Sequence, residues 1–480
     1  MSVLPTIIQG GMGVGISSWT LAHAVSSCGQ LGVVSGTGLD TVLMRRLVDG
    51  DPGGHYRRAM KSFPLPSVVA EALQRYFRPE GRREGEPYPA LKMHKRILDR
   101  WQEQLITLAN FVEVALAKEG HGSPVGINLL TKLQIPNLAS LYGAMLAGVD
   151  YVLMGAGIPR DIPGALDAMA AGDPASIRLD VQGGSGAEDE SVGFDPNVCW
   201  EGEAPGLSRP WFLPIVASNS LATMLSRKAT GKIDGFVIEG PTAGGHNAPP
   251  RGAKQLNQRG EPLYGSRDEV DLDKIRDIGL PFWTAGGRGS PEQLEAAQSQ
   301  GAEGIQVGTL FAYCRESGLS DDLKRHVVCR SVQGEVDVLT DDRASPTGFP
   351  FKTVFLDGSL SENELYRDRE RVCDLGYLRT PYRMGNGRIG YRCASEPVDT
   401  FVKKGGDVEE TVGRKCLCNA LMSNISLGQE RRDTGRELPL LTSGDDLRNL
   451  GGFLRGRTGY SASDVLDYLL GRENPHILPE

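Results

Sequence analysis

The sequence lacks any apolar run near the ~18 residues that a membrane-spanning helix needs. It also lacks any block of like charge longer than a few residues and any P-loop of the form GxxxxGK[ST]. These absences argue against a membrane, against nucleic acid as a partner, and against a nucleoside triphosphate cradle. The balance of 52 Lys+Arg against 60 Asp+Glu, a net charge of −8, points the same way. The N-terminal MSVLPTIIQGG has no basic segment followed by an apolar stretch of signal-peptide length, so a cytoplasmic protein is expected. Eight cysteines among 480 residues are too sparse for a disulfide scaffold. In a reducing compartment, a cluster of them reads as a metal or redox site.

What the chain has in excess is glycine, 62 of 480 residues, close to double the background of roughly 7%. The glycines are neither periodic nor gathered in one low-complexity tract, which assigns them to tight loops at the ends of regular elements.

Short β-branched or apolar runs alternate with helix-length segments up to about residue 330, the signature of parallel βα units. Eight such runs occur, at 6–9, 32–35, 125–129, 151–154, 212–217, 235–239, 281–285 and 304–307. Eight units in succession predict an α/β fold of the (β/α)8 TIM barrel type rather than an open doubly wound sheet. Helix starts are marked at Ser17-Ser18, Ser218-Asn219 and Ser290-Pro291, where a polar cap precedes a periodic apolar segment. The expected organisation is a barrel over 1–330, interrupted by a helical insertion at about 40–122 with its helix around His94–Ala117. A polar excursion or hairpin follows at about 176–208. Residues 331–480 lose the βα rhythm and form an appended C-terminal region.

Three loops carry the candidate chemistry. Gly10-Gly11-Met12-Gly13 follows the first strand, at the barrel end where active sites are built, and bare backbone there would admit a planar ring. It is no dinucleotide fingerprint, since GxGxxG would need glycine where Ile16 stands. The literal match Gly385–Gly390 has no strand before it and no helix after it. Gly286-Gly287-Arg288 and Gly308-Thr309 end the seventh and eighth candidate strands, the usual phosphate site of this fold, with Arg288 able to supply charge. Without a P-loop, flavin mononucleotide (FMN) is the better ligand for such a site. Glu239-Gly240-Pro241-Thr242-Ala243-Gly244-Gly245-His246 follows the sixth strand. Of the seven histidines, only His246 lies in a glycine-rich loop on the proposed active face, where an imidazole can take a proton alpha to an activating group. His23 and His326 fall in helix patterns, His55, His94 and His121 in or beside the insertion, and His476 in the tail.

The segments QGGMGVGIS, GINLL, EGPTAGGH, AGGRGSPEQL and QVGTLF, with SPTGFP further on, together resemble the nitronate monooxygenase family. These enzymes were once called 2-nitropropane dioxygenases and share a fold with flavin-dependent enoyl-acyl carrier protein reductases. The resemblance covers roughly 1–50 and 122–353 and implies an FMN-dependent barrel. By position it places Gly11 and Met12 at the flavin ring, with Asn128 and Glu239 nearby and Gly13 also expected to bind the cofactor. Gly245, Gly286, Gly287, Gly308 and Thr309 fall at the phosphate end, Gly244 and Arg288 are expected to bind the cofactor with them, and His246 becomes the catalytic base. The insertion is unusually large for this family, and the region after 353 has no counterpart.

That region holds Cys373, Cys393, Cys416 and Cys418, four thiols within 46 positions beside Arg414 and Lys415. Four thiolates suit zinc or an iron–sulfur cluster, although unrelated buried thiols account for such a group equally well. Cys28, Cys199, Cys314 and Cys329 read as structural. The functional expectation is an oxidoreductase that oxidises a nitroalkane, a nitronate or a similar carbon acid with oxygen. The alternatives are an NAD(P)H-dependent enoyl-thioester reductase of lipid or polyketide synthesis and a non-catalytic flavin-binding module. A small-molecule substrate is expected with oxygen or NAD(P)H, and a homodimer is left open.

Overall fold

The structure is a computed structural model that describes residues 4–183, 190–200, 204–431 and 435–472; His476 lies outside them. Eight parallel strands form one sheet: β1 (Ile7–Gln9), β2 (Gly32–Ser35), β3 (Val125–Leu130), β4 (Tyr151–Gly155), β5 (Trp211–Val216), β6 (Phe236–Glu239), β7 (Phe282–Ala285) and β8 (Gly304–Val307). Their order is β1-β8-β7-β6-β5-β4-β3-β2. The two ends meet, because Gln9 N donates to Leu31 O at 2.9 Å and Leu31 N to Ile7 O at 3.1 Å. The sheet therefore closes into the (β/α)8 barrel expected from the eight apolar runs.

Alternation along each strand divides the core in two. Ile8, Val33, Leu153, Leu213, Val237 and Trp283 are buried together inside the barrel. Ile7, Val34, Ile127, Val152, Phe212 and Ile305 belong to the larger core cluster that takes in the surrounding helices. The Trp283 indole N–H donates to Pro5 O at 2.7 Å, so the largest side chain of the interior has its one polar atom satisfied.

Local chemistry starts the helices as expected in two of three cases. Ser218 accepts from Leu221 N before helix Asn219–Lys228, and Ser290 accepts from Gln293 N with Pro291 opening helix Pro291–Ser299. Before helix Trp19–Ser27, however, Ser18 makes no side-chain cap. The Ser17 hydroxyl instead turns back to Gly10 O at 2.9 Å, where it braces the first glycine loop.

The helical stretch expected around His94–Ala117 is helix Arg100–Ala117, started by a capping box in which Asp99 and Gln102 exchange bonds. It packs between Trp19–Ser27 and Gln134–Leu146, in the ring of barrel helices. The helices Leu39–Val48, His55–Met60 and Pro66–Tyr76 precede it. The polar stretch at 176–208 contains the antiparallel pair Ala175–Arg178 and Ser191–Phe194.

The C-terminal region folds back over the barrel. Its antiparallel pair Val338–Asp341 and Phe351–Val354 meets the loop after β6, where Lys352 N donates to Gly245 O at 2.9 Å and Asn247 N to Pro350 O at 3.0 Å. It also meets the insertion: Tyr88 N donates to Gln429 Oε1 at 2.8 Å and Gln429 Nε2 returns to Tyr88 O at 3.1 Å.

Gly143 sets the spacing of helices Arg100–Ala117 and Gln134–Leu146, since a β-carbon there would lie 2.1 Å from Thr107 O. Gly143→Ala is expected to lower stability by about 1–3 kcal/mol or more despite its better helix propensity, read as a fall in Tm; an unchanged or raised Tm would contradict this packing.

Candidate functional site

The loops after β1, β6, β7 and β8 converge at the C-terminal end of the barrel on a cavity lined by Gly10–Val14, Asn128, Glu239, Thr242–His246, Ala285–Arg288 and Gln306–Thr309. All thirteen residues expected at the flavin and the catalytic base therefore meet in one place. These are Gly11, Met12, Gly13, Asn128, Glu239, Gly244, Gly245, His246, Gly286, Gly287, Arg288, Gly308 and Thr309.

Two glycines show why these loops tolerate no side chain. A β-carbon on Gly11 would stand 2.2 Å from Asn128 Cβ, and one on Gly286, whose φ is +82°, would meet Gly240 O at 2.9 Å. The loops are thus packed against one another as well as bared toward the cavity.

Further barrel residues, among them Thr37, Leu130 and Ile215, complete the floor, and another part of the wall comes from beyond the barrel: Tyr377, Leu378, Leu417, Cys418, Leu421, Thr442, Ser443, Gly444 and Asp446. None of these was singled out for the flavin site from the sequence, because nothing in the chain's order marks a distant segment as adjacent to the barrel mouth. The contacts are specific. Gly245 N donates to Thr442 Oγ1 at 2.9 Å, Gly444 N to Thr309 Oγ1 at 3.2 Å, and Gly289 N to Asp446 Oδ2 at 3.1 Å.

Burial governs the ionisable groups here. Glu239 is pushed up to about 7 by desolvation. His246 is held down to about 3 by desolvation and by the nearby Lys132 ammonium, so its imidazole is neutral near pH 7. His246 Nε2 pairs with the Ser345 hydroxyl at 2.7 Å, and its ring packs edge-on against Phe351. Burial, followed by the charge of Asp445, also raises the Asp446 carboxyl, against the lowering pull of the Gly289 N–H and of Arg288.

FMN suits this wall. Gln306 Oε1 and Arg288 Nε are buried, line the cavity, and have no hydrogen-bond partner among the described residues. An unpaired buried polar atom costs ~1–3 kcal/mol. The ring N–H and phosphate of a flavin are the kinds of group that would satisfy these two.

The metal expectation needs correction. Cys373, Cys393, Cys416 and Cys418 do converge, around a second cavity of about 10 Å³, room for about one water. Yet among the described residues no three His, Cys, Asp or Glu side chains are arranged to hold a metal ion. Burial pushes Cys373 up to about 11 and Cys393 up to about 12. These thiols pack as neutral core groups, with Asn419 Nδ2 donating to Cys416 Sγ at 3.5 Å. All eight cysteines are free.

A glycine-lined cavity with one histidine at the C-terminal mouth of the closed barrel stands where (β/α)8 proteins build their sites. Among the described residues no helix is long and apolar enough to cross a membrane. The sequence profile of the nitronate monooxygenase family matches residues 179–340. It is 32% identical over 125 residues to a probable nitronate monooxygenase of Staphylococcus saprophyticus, spanning 26% of this chain and 33% of that protein. A probable nitronate monooxygenase of Staphylococcus haemolyticus is 33% identical over 97 residues, 20% of this chain and 26% of that one. The match thus spans about a third or less of these relatives' length. FabK from Thermotoga maritima superposes with a TM-score of 0.46 at 16% identity, covering 98% of this chain and 93% of its own. A nitroalkane oxidase from Streptomyces ansochromogenes does so at 0.44 and 14%, covering 98% and 95%.

The raised Glu239 carboxyl sets a sign for stability. Below about pH 4.5 it is neutral folded and unfolded, so it costs nothing. Between 4.5 and 7 the unfolded chain ionises first and stability falls as pH rises. Glu239→Gln in the flavin-free protein is therefore expected to gain up to about 3 kcal/mol at pH 8 and nothing at pH 4, by denaturant unfolding. A gain independent of pH would contradict the shift.

Proposed function

We propose that this protein is an FMN-dependent oxidoreductase that oxidises a small carbon acid, most simply a nitroalkane or its nitronate, with oxygen, and that His246 is its base. The observation that carries the reading is one histidine, His246, that lines the same cavity as the glycine loops suited to a flavin. Gly11, Met12 and Gly13 would lie against the ring, with Asn128 and Glu239 beside it. Gly244, Gly245, Gly286, Gly287, Arg288, Gly308 and Thr309 would hold the phosphate end. The redox chemistry, transfer of electrons from the carbanion to oxygen to yield a carbonyl compound and nitrite, would come from bound FMN.

The protein's own part is proton handling and exclusion of water. A neutral imidazole is ready to accept a proton, and a bound nitronate would offset the cost of its charge by Coulomb attraction in this buried setting. The wall made by Phe351, Leu378, Leu417 and Leu421 keeps that charge pair away from solvent.

The same apolar wall favours a second reading, in which an enoyl thioester lies along it and accepts hydride originating from NAD(P)H. Rapid bleaching of the flavin by NADH or NADPH, with none by nitronate, would select this reductase.

For the first reading, His246→Ala is expected to lower nitrite release from a nitroalkane by about 10²-fold or more while FMN remains bound. Wild-type turnover in that variant would contradict the assignment of the base.

A further inference from the structure

Once the charge of the bound substrate is gone, the buried imidazole of His246 no longer has an anion to hold the proton it took, and that proton has to leave before the next turnover. The structure places a way out next to it. Beyond the 2.7 Å contact of His246 Nε2 with Ser345 Oγ, that hydroxyl meets Thr347 Oγ1 at 2.8 Å, and Lys132 Nζ donates to Thr347 Oγ1 at 3.4 Å. Ser345 is fully buried, and its carbonyl is fixed by Arg414 Nη1 at 2.7 Å. On the other side of His246, Nδ1 has no hydrogen-bond partner among the described residues.

Lys132 follows β3 and precedes helix Gln134–Leu146. Its ammonium lies over the Phe349 ring, 2.7 Å from the centroid, and among the described residues it has no carboxylate partner. Desolvation brings it down to about 7. It lines a separate cavity of about 30 Å³ with Gln134 and the ionisable groups His94, Tyr377, Arg379 and Tyr391, large enough for about two waters. His94 Nε2 lies 3.0 Å from Asp40 Oδ2, so the ionisable groups that face Lys132 are Arg379 and this His94–Asp40 pair on one side and His246 on the other.

We propose that Ser345, Thr347 and Lys132 form a proton relay that drains His246 into this second cavity. The inference rests on the reading of His246 as the base. The protons balance without any change of oxidation state. His246 takes the substrate proton at Nδ1 and passes its Nε2 proton to Ser345 Oγ. The Ser345 hydroxyl proton moves to Thr347 Oγ1, and the Thr347 hydroxyl proton to the neutral amine of Lys132. The resulting ammonium releases its proton to water in the second cavity. For a reaction that must protonate a carbanion, the same chain runs in the opposite direction.

Three substitutions in the FMN-loaded full-length protein separate the possibilities. Lys132→Arg keeps the cation but cannot become a neutral acceptor, Lys132→Met removes both, and Thr347→Val cuts the chain while leaving every charge in place. In the wild-type protein nitrite release should rise with pH through the neutral range as Lys132 loses its proton. That limb should vanish in Lys132→Arg, and both Lys132→Arg and Thr347→Val should slow turnover by roughly tenfold or more with KM unchanged. Independently of turnover, nitrogen NMR of 15N-histidine-labelled, flavin-free protein should show His246 titrating at higher pH in Lys132→Met, as loss of a neighbouring cation requires. Wild-type rate and pH profile in Thr347→Val, with His246→Ala still inactive, overturn the relay and leave the base assignment standing. An unmoved His246 titration in Lys132→Met overturns the coupling itself. Wild-type activity in His246→Ala instead overturns the base assignment and the relay with it.

Discussion

The seam between β1 and β2 is the constraint on which the rest of the molecule depends, and one fully buried side chain, Gln9, works on both sides of it. Its backbone N–H reaches Leu31 O across the seam, and its Oε1 accepts from Val33 N at 3.0 Å. Its Nε2 donates to Gly10 O and to Ser17 Oγ, and Ser17 Oγ in turn receives Met12 N at 2.8 Å. One amide thus closes the barrel and fixes the first glycine loop. Because a buried amide left unpaired is costly, the loop geometry at Gly11 and Met12 is coupled to closure of the whole sheet.

From that ring of strands the site gains its loops, but its electrostatics come from the cover. The C-terminal region straps the loop after β6 through Gly245, His246 and Asn247 and lays apolar side chains over the mouth. Covering the site desolvates Glu239, His246 and Lys132 together, and each shifts toward its neutral form. Neutral groups in a water-poor cavity can exchange protons with a carbon acid without first shedding hydration. The barrel alone would leave these side chains more open to solvent and closer to their ordinary behaviour.

The strands and the three active-face loops were legible because they rest on local signals. Apolar runs of four to six residues, six of the eight followed directly by glycine, specify a parallel strand and its turn without reference to anything distant. Ser290 and Pro291 mark a helix start in the same local way. Contacts between distant segments left no such trace. Nothing in the order of residues says that Thr442 will bond to Gly245 or that Leu417 will face the cavity. The cysteines show the opposite failure. The four thiols do line one cavity, but whether they are arranged as a ligand set is a property of packing that their spacing does not carry. Ser17 was read as part of a helix cap and serves the loop before it, since both roles use the same hydroxyl and the choice depends on where Gln9 lies.

The central claim, that the glycine loops after β6, β7 and β8 hold the phosphate of a flavin mononucleotide, is tested most directly by titrating the flavin-free protein with FMN and with riboflavin and following flavin fluorescence. The account predicts one FMN per chain and binding at least about tenfold tighter than riboflavin, as charge-assisted bonds to a phosphate require. Equal affinity for the two, or binding of neither, would contradict it.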